Sequence, residues 1–234
     1  MGITRYISVL VAALCLMSGP VRADDLTDNF RRNVPSIGEV NDQISGLTTD
    51  LRTIVNDKVP SALMRDAQAI TVGYLKKGGF FVAIETGNGL MVVRNRKTKR
   101  WSNPAFVIFS SASFGWQGGL EAKTVVLVCT KREAATKLLT GNLQLGAGLD
   151  LAVGPLATDI GTQQVFDKKC YTYSDGVGLF AGLSLEGSSV SLDPDYNEGC
   201  YGRAVTSSQI FSGRARTRSR AARNLGSYLD RATK

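Results

Sequence analysis

The stretch GFFVAIETGNGLMVVRN, residues 79–95, decides the fold class. Its two arms, "GFFVAIE" and "LMVVRN", are rich in β-branched and aromatic residues and flank Asn88-Gly89. A type I′ turn prefers that dipeptide because both of its central residues take positive φ. The pattern therefore predicts a β-hairpin with its tip at Asn88-Gly89. The same composition continues outward: 19 of the 25 glycines lie between Gly73 and Gly202, interleaved with short runs of Val, Ile, Phe and Tyr. "PAFVIFSSASFGWQGGL" and "TVVLVC" read as further strands, and "CYTYS", "GLFAGLSLEG" and "SSVSLD" as later ones.

Helical signals flank and interrupt this block. Val40, Ile44, Leu47, Leu51, Ile54 and Val55 recur at the spacing of one helix face. A second short helix is expected over Ser61–Gln68, behind Pro60. Lys131–Leu139 is the internal helix. In the tail, Phe211, Ala215, Ala222, Leu225 and Leu229 fall on one side of a helical wheel, opposite Arg216, Arg220, Arg223 and Arg231. The fold class expected is α+β: a glycine-rich twisted antiparallel sheet or partly closed β-barrel with N-terminal helices and one internal helix. At its C-terminus it carries a basic amphipathic helix or a disordered tail.

Residues 1–23 read as a signal peptide. Arg5 precedes the apolar run Ile7–Met17, and Val21-Arg22-Ala23 has the small-x-small form of a cleavage site. That run is shorter than the roughly 18 residues a membrane span needs. Export to a periplasmic or extracellular location follows, with peripheral attachment to a membrane as an option. The rest divides into a polar segment with a helix (24–57), a main domain (58–210) and a basic tail (211–234). Segment 24–210 carries 19 basic and 19 acidic residues, so the formal charge of +8 resides largely in the tail and the signal. Within the neutral body, one loop, Arg94–Arg100, concentrates five cations. Charge localised in this way suits a polyanionic surface.

Three cysteines follow the signal. Cys129 ends a strand-like run and reads as a buried thiol. Cys170 and Cys200 each precede a tyrosine in loop-like surroundings, and an exported chain is expected to join them as a disulfide.

Several chemistries are excluded. The chain has no histidine, which removes the usual general base near neutral pH and the commonest zinc ligand. It has no Gly-x-Ser-x-Gly elbow, no CxxC pair and no Walker loop. Gly176-x-Gly178-x-x-Ala181 fits a dinucleotide fingerprint only formally, because it runs on into a strand-like segment. Neither a cofactor nor a metal is called for, and no catalytic residue stands out. Basic patches with Trp101 or Trp116 could serve single-stranded nucleic acid, but an exported chain seldom meets it.

The order of short motifs along Lys58–Ile210 resembles the SYLF lipid-binding domain family. They begin with Val59-Pro60, Leu63, Ala67, Ile70 and Lys77-Gly78-Gly79-Phe80. Gly87-x-Gly89, Trp101-Ser102-x-Pro104-x-Phe106 and Ser113-x-Gly115-x-Gln117-x-Gly119 follow. Gly154-Pro155, Tyr171-x-Tyr173, "GLFAGLSLEG", Asn197 and Tyr201-Gly202 complete the series. The chain departs from the family pattern at Cys200 and in "LATDIG", which lacks a basic residue. The resemblance implies a non-enzymatic lipid- or phosphoinositide-binding module. Some fungal relatives bind actin, a partner not expected for an exported chain.

Residues and resemblance together make the expected partner an anionic lipid or membrane surface. The contact candidates are Arg94, Arg96, Lys97, Lys99 and Arg100, with Lys76 and Lys77 joining through the neighbouring turn. Arg216, Arg220 and Arg223 form a second set, with Leu225 and Leu229 as the face that inserts. Trp101 reads either as core or as a group at head-group depth. Two alternatives stay open: a scaffold for an anionic envelope polymer, and a weak carboxylate-based hydrolase.

Overall fold

A computed structural model describes residues 33–79, 82–114, 119–139, 143–145, 150–155, 166–175, 185 and 187–234. The signal-peptide reading and most of "GLFAGLSLEG" lie outside these residues. Val34–Lys234 form one compact unit.

Helix α1 (Ile37–Lys58) starts with a capping box. The Ser36 hydroxyl accepts from the Glu39 N–H, and the Glu39 carboxylate accepts from the Ser36 N–H at 2.8 Å. Its apolar face is buried along Val40, Ile44, Leu47, Leu51, Ile54 and Val55, as the spacing predicts. Helix α2 (Ser61–Asp66) follows Pro60. Four long strands come next: β1 (Ala69–Gly79), β2 (Val82–Val93), β3 (Ala105–Phe114) and β4 (Gly119–Cys129). The remaining elements are α3 (Glu133–Leu139), β5 (Leu143–Gln144), β6 (Leu151–Val153), β7 (Cys170–Ser174), β8 (Ser189–Leu192), α4 (Pro194–Tyr201), α5 (Ser207–Phe211) and α6 (Arg220–Ala232).

The strands form one sheet in the order β5-β8-β3-β2-β1-β4-β7-β6, curled into a half-barrel. It is antiparallel except where β6 runs parallel to β7. Alternation along each strand divides the interior in two. Ile70, Val72, Leu90, Val92, Phe106, Val126 and Val128 face α1 and α6. Leu75, Met91, Val107, Phe109, Val125 and Leu127 face the other way, with Ala134 and Ala135 of α3. Lys123 and Glu85 lie on this second face, 3.3 Å apart and largely shielded from solvent.

Asn88-Gly89 is not a turn. It lies inside β2, with Asn88 opposite Tyr74 and Gly89 opposite Gly73, and the chain reverses between Gly79 and Val82. Packing explains the glycines. A Cβ on Gly73 would stand 2.5 Å from the Phe109 ring, and one on Gly89 would stand 2.5 Å from the Val72 carbonyl oxygen. The two glycines let the ring lie directly on the strands.

The disulfide joins Cys129 to Cys170 and leaves Cys200 a buried free thiol. This corrects the expected Cys170–Cys200 pairing and the reading of Cys129 as a thiol. Cys129 ends β4 directly opposite Cys170 at the start of β7, and both belong to the second core face. Cys200 sits on α4 within the helix-covered core on the other side of the sheet.

Candidate anion-binding face

The basic loop connects β2 to β3, closed by a bridge between Arg94 and Trp101. The Asn95 side-chain oxygen accepts from the Lys97 and Thr98 N–H groups at 2.9 and 3.1 Å, folding the tip back on itself. Lys99 takes the left-handed conformation, with φ of 59°.

The loop's cations do not share one fate. Arg94 turns inward, and its guanidinium donates to the carbonyls of Lys99, Arg65 and Thr233 at 3.0, 2.7 and 3.2 Å. Its own carbonyl accepts from Arg132. Arg94 thus ties the loop to the ends of α2 and α6, and its donors are engaged by protein. Arg100 pairs with Asp230 at 3.4 Å, but its side chain stays 78% exposed, so the pair contributes little and leaves a cation at the surface. Arg96, Lys97 and Lys99 are exposed.

Trp101 is buried, its indole N–H donating to the Thr233 hydroxyl at 3.1 Å and its backbone N–H to Asp230 at 3.1 Å. This removes it from the contact candidates, because a buried indole with its polar atom satisfied belongs to the core. The tail is corrected in the same way. Leu225 and Leu229 are buried against the α1 side of the core and do not form an inserting face. Residues 212–219 separate α5 from α6, so Phe211 and Ala215 are not on the helix that carries these leucines.

What remains outside is the arginine side of α6. Arg220 and Arg223 are exposed, as is Arg216 just before the helix. The helix itself is anchored at both ends. Ser219, its N-cap, donates to Asn41 of α1 at 2.7 Å, and Asp230 and Thr233 hold Trp101. Lys76 is exposed on the helix-covered face of β1, well along the strand from the loop, and Lys77 points to the opposite face.

Beside the loop opens a cleft of about 460 Å³ where strand ends meet. Arg65, Arg94, Lys99 and Lys131 line it with Asp66, Gln68, Thr130 and Phe166, so one carboxylate stands among the cations. Arg65 and Lys131 were missed by sequence reasoning because neither belongs to a charge run; tertiary packing alone brings them to Lys99. Around the rim, Lys169 pairs with Glu133 at 2.7 Å and Lys168 with Asp150 at 3.6 Å. The hydrogen bond from Lys169 holds the Glu133 carboxyl below its ordinary range. Burial, and then the charge of Arg96, lower the Arg132 pKa.

The chain's sequence was compared with known proteins. The sequence model of the Ysc84 family, described as "Las17-binding protein actin regulator", matches residues 110–232. SH3 domain-containing YSC84-like protein 1 of Xenopus laevis is 31% identical over 62% of this chain and 44% of its own length. Protein YSC84 of Saccharomyces cerevisiae is 30% identical over 68% of this chain and 35% of its own. LAS seventeen-binding protein 3 of the same yeast is 29% identical over 68% and 35%. This chain therefore spans between a third and a half of those relatives. No solved structure matches. The family description, which names an actin regulator, overturns the expectation that actin is an unlikely partner for an exported chain.

Proposed function

The chain belongs to the Ysc84 family, the SYLF-domain proteins, and from that premise we propose that it is a non-enzymatic binding module that docks on an anionic membrane surface. One observation carries the reading. Arg96, Lys97 and Lys99 stand exposed on a loop that Arg94 and Asp230 fix to α6, whose own outer side carries Arg220 and Arg223. The loop backbone is thus anchored, so the entropy lost on meeting a surface is mainly that of the exposed side chains. The family description and the name LAS seventeen-binding protein 3, which speak of binding and regulation, support a non-enzymatic role.

The module is exported in this reading, with residues 1–23 removed. The Cys129–Cys170 disulfide favours an oxidising compartment. N-terminal sequencing of the protein recovered from its native cell decides the point: a chain that retains Met1 rules out cleavage.

The relatives' names favour a second reading, in which the same cations meet an acidic protein surface in an actin-regulating assembly. Co-sedimentation separates the two. The intact chain is spun with neutral vesicles, with phosphatidylglycerol vesicles and with actin filaments, each at low and high salt. Membrane docking requires pelleting with the anionic vesicles that weakens as salt screens the charges. Pelleting with filaments alone establishes the protein-surface reading. A chain that stays in the supernatant in every tube ends both.

A further inference from the structure

A second depression, of about 380 Å³, lies away from the basic cleft, where α1 and α4 meet the helix-covered face of β1 and β2. Its floor is a two-by-two patch of direct cross-strand pairs, Tyr74 opposite Asn88 and Lys76 opposite Thr86. Gln43 of α1 forms one wall and Tyr196 of α4 another, the latter ring packed on Phe106 at 5.3 Å between centroids. Tyr74 is 41% exposed, and it is the one aromatic among the large apolar side chains exposed in the described residues.

The polar groups of this groove are uncommitted. The amides of Gln43 and Asn88 and the hydroxyls of Thr86 and Tyr74 do not appear in the side-chain hydrogen-bond network of the described residues, and Lys76 contacts only the Tyr74 ring, at 5.7 Å. Planar amides offer donors and acceptors side by side, and tyrosine offers an apolar ring face with a polar tip. The volume is within the range of small-ligand sites, roughly 300–1,000 Å³. A polyanion would call for several cations, and the groove supplies one. A purely apolar ligand would leave both amides without partners. A pyranose fits both features, since its C–H face can lie on an aromatic ring while its equatorial hydroxyls pair with amide, hydroxyl and ammonium groups.

We propose that this groove is a saccharide-binding site for one or two pyranose units, with Tyr74 as the stacking platform and Asn88, Gln43, Thr86 and Lys76 as the hydroxyl partners. The site is independent of the anionic docking described above. It lies six to eight residues along β1 from Gln68 and the basic cleft, about 20–25 Å at the rise of a strand. The sugar can come from a glycolipid head group or from a free glycan, and the experiment distinguishes these sources.

Saturation-transfer NMR on the intact chain, with cellobiose, chitobiose, maltose and a uronic-acid disaccharide as probes, tests the proposal, beside co-sedimentation with glucosyl-lipid vesicles. Transfer to the ring protons of at least one disaccharide, or pelleting with the sugar-bearing vesicles and not with sugar-free ones, is expected. Tyr74→Ala should weaken either signal at least tenfold while Tyr74→Phe retains it. Asn88→Ala, which leaves the ring in place, should weaken it severalfold and carries the test if Tyr74→Ala does not fold. Arg214→Gln, exposed between α5 and α6 and outside both sites, should change nothing. Absence of any signal in both arms, or a signal undiminished in folded Tyr74→Ala and Asn88→Ala, overturns the site.

Discussion

Arg94 and Lys99 share one basic loop yet serve different ends. Arg94 donates to three carbonyls on three segments, whereas Lys99 is exposed at the rim of the cleft. Arg94→Gln is therefore expected to lower thermal stability, since its hydrogen bonds to the carbonyls of Arg65 and Thr233 are lost at roughly 0.5–1.5 kcal/mol each. Lys99→Gln should leave the melting temperature unchanged and weaken vesicle binding about fivefold, the contribution of one cation near an anionic surface. Melting curves and co-sedimentation on both variants check the division; equal loss of stability would contradict it. Cys200 offers a second test. Burial raises its thiol pKa, and the Thr217 hydroxyl only partly opposes this. Cys200 should resist maleimide at neutral pH in the native protein, and denaturation without reductant should add one label per chain. Two further labels, released only by denaturation, would mean that Cys129 and Cys170 are not joined.

At the level of elements, α1 and α6 show how local signals and packing combine. The box at Ser36 arrests the first turn of α1, and Ser36→Ala should cost about 1 kcal/mol. Glu39 adds a pH dependence of definite sign. Hydrogen bonds from the Ser36 backbone and hydroxyl lower its pKa in the folded protein. Its contribution is fully present above the unfolded value of about 4.3 and is lost as pH falls through the depressed folded value. The stability gap between wild type and Glu39→Ala should thus be constant near neutral pH and close in acid; a gap that widens in acid would contradict the box. On α6, Leu229 is fully buried. Leu229→Ala should cost about 3 kcal/mol, as expected for a core leucine. Were the leucine a membrane anchor, the same change would weaken vesicle binding and leave soluble stability intact.

For the molecule as a whole, the tail is part of the core. Ala215, Ala222, Leu225 and Leu229 share a cluster with α1 and with the inner face of the sheet, and Thr233 receives the Trp101 indole N–H. A chain ending at residue 211 should melt at a markedly lower temperature or lose its near-ultraviolet dichroism. Truncation that abolished binding at an unchanged melting temperature would show instead that the tail is an appendage. The Cys129–Cys170 link spans 41 residues, worth about 4 kcal/mol in the chain-entropy model. Next to it Thr130 donates to the carbonyls of Lys168 and Lys169, so the cleft borders the joined ends of β4 and β7.

Much of this fold is local information. The apolar spacing of Val40–Val55 and the alternation in "TVVLVC" depend only on the periods of a helix and a strand, and each element lies where its period places it. The exclusion of histidine chemistry and the concentration of charge in a loop and a tail are equally properties of the chain alone. The roles of single residues were settled by register between distant segments. Gly89 resembles a turn residue until Phe109, from the next strand, presses on it. Cys170 has two candidate partners until β7 is laid beside β4 and Cys200 is carried to the opposite side of the sheet. Arg94 and Arg96 are alike in sequence, and only the carbonyls that converge on Arg94 make it structural. Strand pairing sets Tyr74 opposite Asn88, and packing between distant segments brings Arg65 of α2 and Lys131 to Lys99, groups that neither spacing nor composition relates.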